Sequence, residues 1–208
     1  MRYILLLSSF FFATSLFSQS SKLDYQILYD INHGYTKVGG NIFYIITETP
    51  TPIGLGVPAG LFIASWIKKD KPMRIHSYEM ASSIFLSGVI TTSLKLGIDR
   101  ERPFNTYDDI NKHSTGGSPS FPSGHTTMAF ATATSLSLAY PKWYVIAPSM
   151  LWAGAVGYSR MYLGVHYLTD VLAGAVIGSG TAFAVYYGSK WIQKKVEQKR
   201  ANTVGMKW

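Results

Sequence analysis

The sequence predicts an all-α protein, a helical bundle with about five to six membrane-spanning helices. Three observations lead there. Hydrophobic residues make up 47% of the 208 positions while charged residues make up only 14%, and the mean hydropathy is +0.11. That is apolar for a soluble chain and mild for a membrane one. Apolar segments of helical length recur between short polar connections. The basic residues, finally, gather on one side of the bundle that those segments define.

Residues 1–20, MRYILLLSSFFFATSLFSQS, begin with one basic residue, continue apolar to Phe17 and end in a small polar stretch. This reads as a secretory signal with a cut near Ser18 or Ser20, or as a short uncleaved anchor. Both deliver the following chain across a membrane. Residues 21–190 form the domain itself. Its first part, 21–52, carries Asn, Gly and Pro signals and is expected as a loop with one interfacial helix over 25–31. An apolar segment at 53–67 stops at a basic cluster, Lys68, Lys69, Lys71 and Arg74, and a second at 77–94 reaches Lys95. The polar, Gly/Ser/Pro-rich stretch 99–122 predicts an irregular connection. Helical segments at 126–140 and 143–158 are separated by Pro141. A last one, 166–188, carries Gly174, Gly178 and Ala182 at four-residue spacing, which allows close helix contact. Residues 191–208 form a basic tail.

If 53–67 crosses back after the first segment, twelve of the nineteen Lys and Arg residues fall on one side: Arg2, the 68–74 cluster, Lys142 and the tail from Lys190. This is the positive-inside pattern, and it argues that the net charge of +8 is not a nucleic-acid footprint. The competing reading is a soluble exported bundle, because several apolar runs reach only about 15 to 18 residues where roughly 20 are usual. The absence of cysteine excludes disulfides and thiolate metal sites.

Three polar clusters interrupt the apolar framework: KLGIDRERP at 95–103, FPSGH at 121–125 and SRMYLGVHYLTD at 159–170. Two legs of about 16 residues, each about 24 Å long, bring the third cluster back to the face of the second. Lys95, Arg102 and Arg160 place three cations where one anion could sit. Ser123, Gly124 and His125 precede a helix, whose free N–H groups favour phosphate, and glycine lets the backbone approach it closely. If residues from 165 onward are helical, His166 and Asp170 share a face, and the carboxylate fixes the imidazole tautomer. An isolated pair of that kind is more often structural. In this company it marks His166 as nucleophile and His125 as the acid for the leaving alkoxide. No carboxylate cluster is available for Mg²⁺, so no metal or other cofactor is expected.

Lys-x6-Arg-Pro, Pro-Ser-Gly-His and Ser-Arg-x5-His-x3-Asp together resemble the three-part signature of the type-2 phosphatidic acid phosphatase superfamily. Bacterial class A acid phosphatases and vanadium haloperoxidases share its pocket. All eleven specified positions are present, within residues 95–170. The resemblance implies a six-span lipid phosphatase layout in a bacterial inner membrane, with the active site facing the periplasm. It further implies a metal-independent phosphatase or pyrophosphatase working through a phosphohistidine. By motif position His166 is the nucleophile, Asp170 its orienting partner and His125 the general acid. Lys95, Arg102, Ser123, Gly124 and Arg160 bind the phosphate. The expected substrate is a phosphorylated lipid: phosphatidylglycerophosphate, undecaprenyl pyrophosphate, phosphatidate or lipid A. Alternatives are a soluble periplasmic acid phosphatase, a vanadate-dependent haloperoxidase (disfavoured, since those chains are generally larger) and a non-catalytic binder of phosphorylated lipid. No motif specifies the head group, the oligomeric state or an obligate protein partner.

Overall fold

The computed structural model describes residues 22–205, so the expected signal or anchor at 1–20 lies outside it. Among the described residues there are eight helices and no strand: α1 (Lys22–His33), α2 (Lys37–Glu48), α3 (Pro50–Ile67), α4 (Lys71–Ile98), the short α5 (Pro103–Thr106), α6 (Gly124–Ala139), α7 (Trp143–Tyr162) and α8 (Leu168–Gly205).

The stretch 21–52 is not the expected loop with one helix but two helices. Its Gly, Asn and Pro residues act at helix boundaries or under covering side chains. Thr36 caps α2 by accepting from the Gly39 N–H at 3.1 Å. Pro50 opens α3, where its missing N–H costs nothing. Gly39 and Gly40 are accommodated inside α2 because the rings of Tyr162 and Tyr35 lie where a Cβ would stand. Asn32, at the end of α1, is buried and donates to the carbonyls of Asn111 (3.0 Å) and Tyr162 (3.1 Å), while accepting from the Asn111 N–H (2.8 Å). It pins α1 to two distant connections at once.

The helices are longer than the apolar runs because their polar ends are also helical. Asp70 caps α4 by accepting from Met73 N–H at 2.9 Å, so Lys71 and Arg74, expected in a loop, form its first turn. At the other end Asp99 turns into the left-handed region (φ 48°) and stops the helix. Three stretches among the described residues are long and apolar enough to cross a membrane: Lys37–Ile67, Lys71–Thr106 and Leu168–Lys199. The chain is a membrane protein. The basic ends of α3, α4 and α8 lie opposite the motif clusters.

Helix α6 occupies the middle, packed against α8, α7, α4 and α3. Its sequence, GHTTMAFATATSLSLA, is almost all small side chains, and Thr126, Thr127, Ala129, Ala131, Ala133 and Thr134 are buried. The hydroxyls do not go unsatisfied. Thr127 Oγ1 donates to the Ser123 carbonyl at 2.9 Å, Thr132 to Met128 at 2.8 Å, and Thr134 to Ser179 Oγ at 3.1 Å. Such internal pairing lets Ser/Thr-rich helices sit in an apolar bundle. Gly174 and Gly178 of α8 face it. A Cβ on Gly178 would stand 2.3 Å from the Thr127 carbonyl oxygen and 2.8 Å from the Ala131 nitrogen.

Gly178→Ala should therefore force α6 and α8 apart and cost about 1–3 kcal/mol. Gly180→Ala, with nothing within 4 Å of the added carbon, is the control and should not destabilise. Thermal unfolding in detergent compares the two.

Candidate active site

The site is built at the end of the bundle where α4 stops, α6 starts, α7 stops and α8 starts. A cavity of about 470 Å³ there is lined by Lys95, Arg102, Gly124, His125, Arg160 and His166, together with residues 115–118 of the connection before α6. Two expected site residues lie behind its wall. Ser123 is fully buried and its hydroxyl accepts from Thr126 Oγ1 at 2.9 Å. Asp170, also fully buried, stands beneath His166.

His166 is not helical, contrary to the expectation that a helix begins near residue 165. Helix α7 runs on through Arg160 to Tyr162, the chain turns at Gly164 (φ +73°), and α8 begins at Leu168. Glycine is required at 164, since a Cβ would stand 2.2 Å from the Asn111 carbonyl oxygen. The N–H groups of Val165 and His166 both donate to the Arg160 carbonyl, at 3.1 and 3.2 Å, which holds the histidine against the end of α7. The pair nevertheless forms: His166 Nδ1 lies 3.2 Å from Asp170 Oδ2. The same oxygen accepts from Ser120 Oγ at 2.5 Å and Tyr167 N–H at 3.0 Å. With Nδ1–H directed at the carboxylate, Nε2 keeps its lone pair on the cavity side, 3.4 Å from Arg102 Nη1.

The three cations are held by the connection that carried no readable motif. Lys95 Nζ donates to the Pro119 carbonyl. Arg102 Nε donates to the Ser118 carbonyl at 2.7 Å and Nη1 to Val165 at 2.9 Å. Arg160 Nη1 donates to Thr47 Oγ1 at 2.7 Å, and Nη2 reaches the Thr115 carbonyl at 3.4 Å. Arg160 Nε has no partner among the described residues. Gly116 is packed against Arg102, whose Nη1 would stand 2.8 Å from a Cβ there.

Burial pushes the His166 imidazole well below its ordinary value, to about 3, and Arg102 and Arg160 add to this; the Asp170 hydrogen bond and charge work in the opposite direction. The ring is therefore neutral near pH 7, with a nitrogen lone pair available.

The structure brings the predicted cations and histidines to one cavity with Ser123 and Asp170 behind it, but the other groups behind the wall were not predicted. Ser120 and Arg100 both bond Asp170, and Thr47 anchors Arg160. Arg100 was visible only as one more cation in the DRER run. Nothing in the sequence singles out Ser120 or Thr47, because each works through a partner more than 40 positions away.

The PAP2 superfamily model matches residues 78–194, more than half of the chain and the part that holds the cavity. The chain belongs to the PAP2 superfamily. Among relatives, it is 42% identical over 80 residues to an undecaprenyl-diphosphatase of Sulfolobus acidocaldarius, covering 38% of this chain and 38% of that protein. It is 38% identical over 72 residues to a lipid A 4'-phosphatase of Bacteroides thetaiotaomicron, covering 35% of this chain and 32% of that one. The chain thus spans about a third of the length of these two relatives. The crystal structure of LpxE from Aquifex aeolicus is similar over 81% of this chain and 97% of that one, with 28% identity and a TM-score of 0.70. The PAP2 fold accounts for the common framework, and the motif residues of this PAP2 chain occupy one end of it.

The depressed His166 value carries a sign for stability. The unfolded chain takes up a proton near pH 6.5 and the native state does so only near pH 3, so protons favour unfolding between those limits. The melting temperature in detergent should fall from pH 7 to pH 4, and fall less in His166→Asn. Equal slopes for the two proteins would contradict a buried neutral imidazole.

Proposed function

We propose that this PAP2 protein is a metal-independent phosphatase of phosphorylated lipids in a bacterial inner membrane, with the site facing the periplasm. Neutral His166 attacks phosphorus through Nε2, and a phosphohistidine forms as the ester oxygen leaves. Asp170 holds the Nδ1–H and stabilises the charge the ring acquires. His125 gives its proton to the leaving alkoxide, then takes one from the water that hydrolyses the phosphohistidine. A bound phosphate dianion beside His125 favours the protonated ring that the first step needs. Lys95, Arg102 and Arg160, with the N–H groups at the start of α6 by Ser123 and Gly124, neutralise charge on the transferring group.

The observation that carries the lipid reading is the way the polar cup opens. It shares Ile84, Gly88, Thr92 and Met128 with an apolar groove of about 890 Å³ between α3 and α4. The groove is walled by Leu55, Pro58, Phe62, Phe85, Val89 and Leu96, and Phe85 and Leu96 are 75% and 77% exposed. A phosphorylated head group in the cup would direct its apolar tail into this groove and onward into the bilayer. The phosphorylated lipids named for the two relatives fit such a path; candidates are undecaprenyl pyrophosphate, lipid A phosphates, phosphatidylglycerophosphate and phosphatidate. The basic ends of α3, α4 and α8, which the positive-inside rule places in the cytoplasm, support the inner-membrane orientation.

A phosphate-release panel over these lipids and soluble esters, in detergent, tests the reading. Lipids should be preferred, and His166→Ala should lower turnover on the order of 10³-fold or more. Hydrolysis of soluble esters with none of the lipids cleaved would refute the lipid assignment; an active His166→Ala would refute the nucleophile. His125→Ala should lose most kcat on substrates with poor leaving groups. A loss that is uniform across leaving groups would exclude acid assistance by His125.

A further inference from the structure

Arg100 stands outside the eleven motif positions, yet it holds one oxygen of Asp170 directly and supports the other through Ser120. Its Nη1 donates to Asp170 Oδ1 at 2.6 Å. Its backbone carbonyl accepts from the Ser120 N–H at 2.7 Å, and Ser120 Oγ in turn donates to Oδ2. The left-handed turn at Asp99 swings Arg100 back beneath the site. There its side chain is only 5% exposed and its guanidinium lies 3.9 Å from the centre of the Tyr167 ring. The other arm, Nη2, donates to Asp24 Oδ2 of α1 at 2.8 Å. Asp24 is buried too, and it accepts from both the N–H (3.0 Å) and the hydroxyl (2.5 Å) of Thr169. A continuous chain thus runs from Asp24 through Arg100 and Asp170 to His166.

Charge explains why the chain needs its far end. Arg100 paired with Asp170 alone would leave no net charge behind the histidine, and the guanidinium would draw electron density from the oxygens that hold Nδ1. With Asp24 on the other arm the group carries one net negative charge. That charge stabilises the imidazolium character His166 gains as it attacks phosphorus.

Resting on the proposed role of His166 as nucleophile, we infer that Arg100 and Asp24 are positioning residues for phosphoryl transfer. They fix the orientation and charge of Asp170 and couple helix α1 to the reaction. Neither lines the cup, so they act on turnover and not on phosphate affinity.

The test is steady-state kinetics on a short-chain phosphatidate in detergent, with inhibition by inorganic phosphate measured in parallel. Arg100→Gln should lower kcat about 10- to 100-fold with KM and the phosphate inhibition constant within about threefold of wild type. Arg100→Lys should recover part of the loss, since it restores the charge on one arm only. Asp24→Asn should lower kcat about 3- to 10-fold, and the double variant should be no slower than Arg100→Gln alone, because Asp24 acts through Arg100. Multiplying losses would overturn the series arrangement. A wild-type kcat in Asp24→Asn, with His166→Ala inactive, would overturn the inference and leave the proposed function standing; an active His166→Ala would instead remove the reading beneath it. If Arg100→Gln does not accumulate as folded protein, Arg100→Lys and Asp24→Asn decide the matter. An unchanged kcat with weakened phosphate inhibition in them would identify Arg100 and Asp24 as parts of the binding cup and refute the positioning role.

Discussion

Three like charges enclosed in one small cavity repel one another, and burial strips them of the water that would otherwise screen them. Lys95, Arg102 and Arg160 tolerate this because the chain brings oxygen to each: the carbonyls of Pro119, Ser118 and Thr115 and the hydroxyl of Thr47. Much of the irregular connection before α6 is shaped by that duty. Its backbone is bent so that successive carbonyls face inward, and Gly116 is bare because Arg102 occupies the space. These neutral oxygens pair with donors of all three cations without cancelling the charge. The cup therefore retains a positive field in a region of low dielectric, where a phosphate dianion gains most from it.

The cup has its shape because two helices approach closely. Small residues on α6 meet Gly174 and Gly178 on α8, and the Ser123 N–H donates to the Asp170 carbonyl at 3.0 Å. That contact sets the second motif directly above the third. The hydroxyls that such a small-residue interface requires are paired within the bundle, so helices α6 and α7 can belong to a membrane protein without the length or apolarity of α4 and α8. At the same end, the turn at Gly164 brings His166 out of helical geometry, where its backbone N–H is satisfied by Arg160 and its ring by Asp170.

Behind the histidine, buried charges alternate in sign from Asp24 to Arg100 to Asp170. Helix α1, which contributes nothing to the cup wall, thereby reaches the carboxylate beneath His166 through two ion pairs. Asn32 secures the other end of the same helix to the 111 connection and to Tyr162. Helix α1 is thus fastened at both ends to the segments that present His166.

How much of this was readable beforehand depended on distance along the chain. Apolar segments, proline breaks and charge asymmetry are local properties, and they gave the bundle and the approximate helix positions. Motif spacing gave the cations and histidines of the cup, because rigid helices of known rise carry those residues to one end. Helix ends differ from the expectation at Lys71 and at 166, and 21–52 holds two helices: the caps Thr36 and Asp70 are local signals three residues from their partners, whereas the Tyr162 ring that covers Gly39 is placed only by the fold. The sequence by itself determined which cations and histidines line the cup, but not the 115–118 stretch that completes its wall. Only the tertiary structure decided what stands behind them: Ser120 on Asp170, Thr47 on Arg160, Asp24 on Arg100. Each is a hydrogen bond between side chains 50 to 113 positions apart, and such pairing leaves no periodic trace in a single sequence.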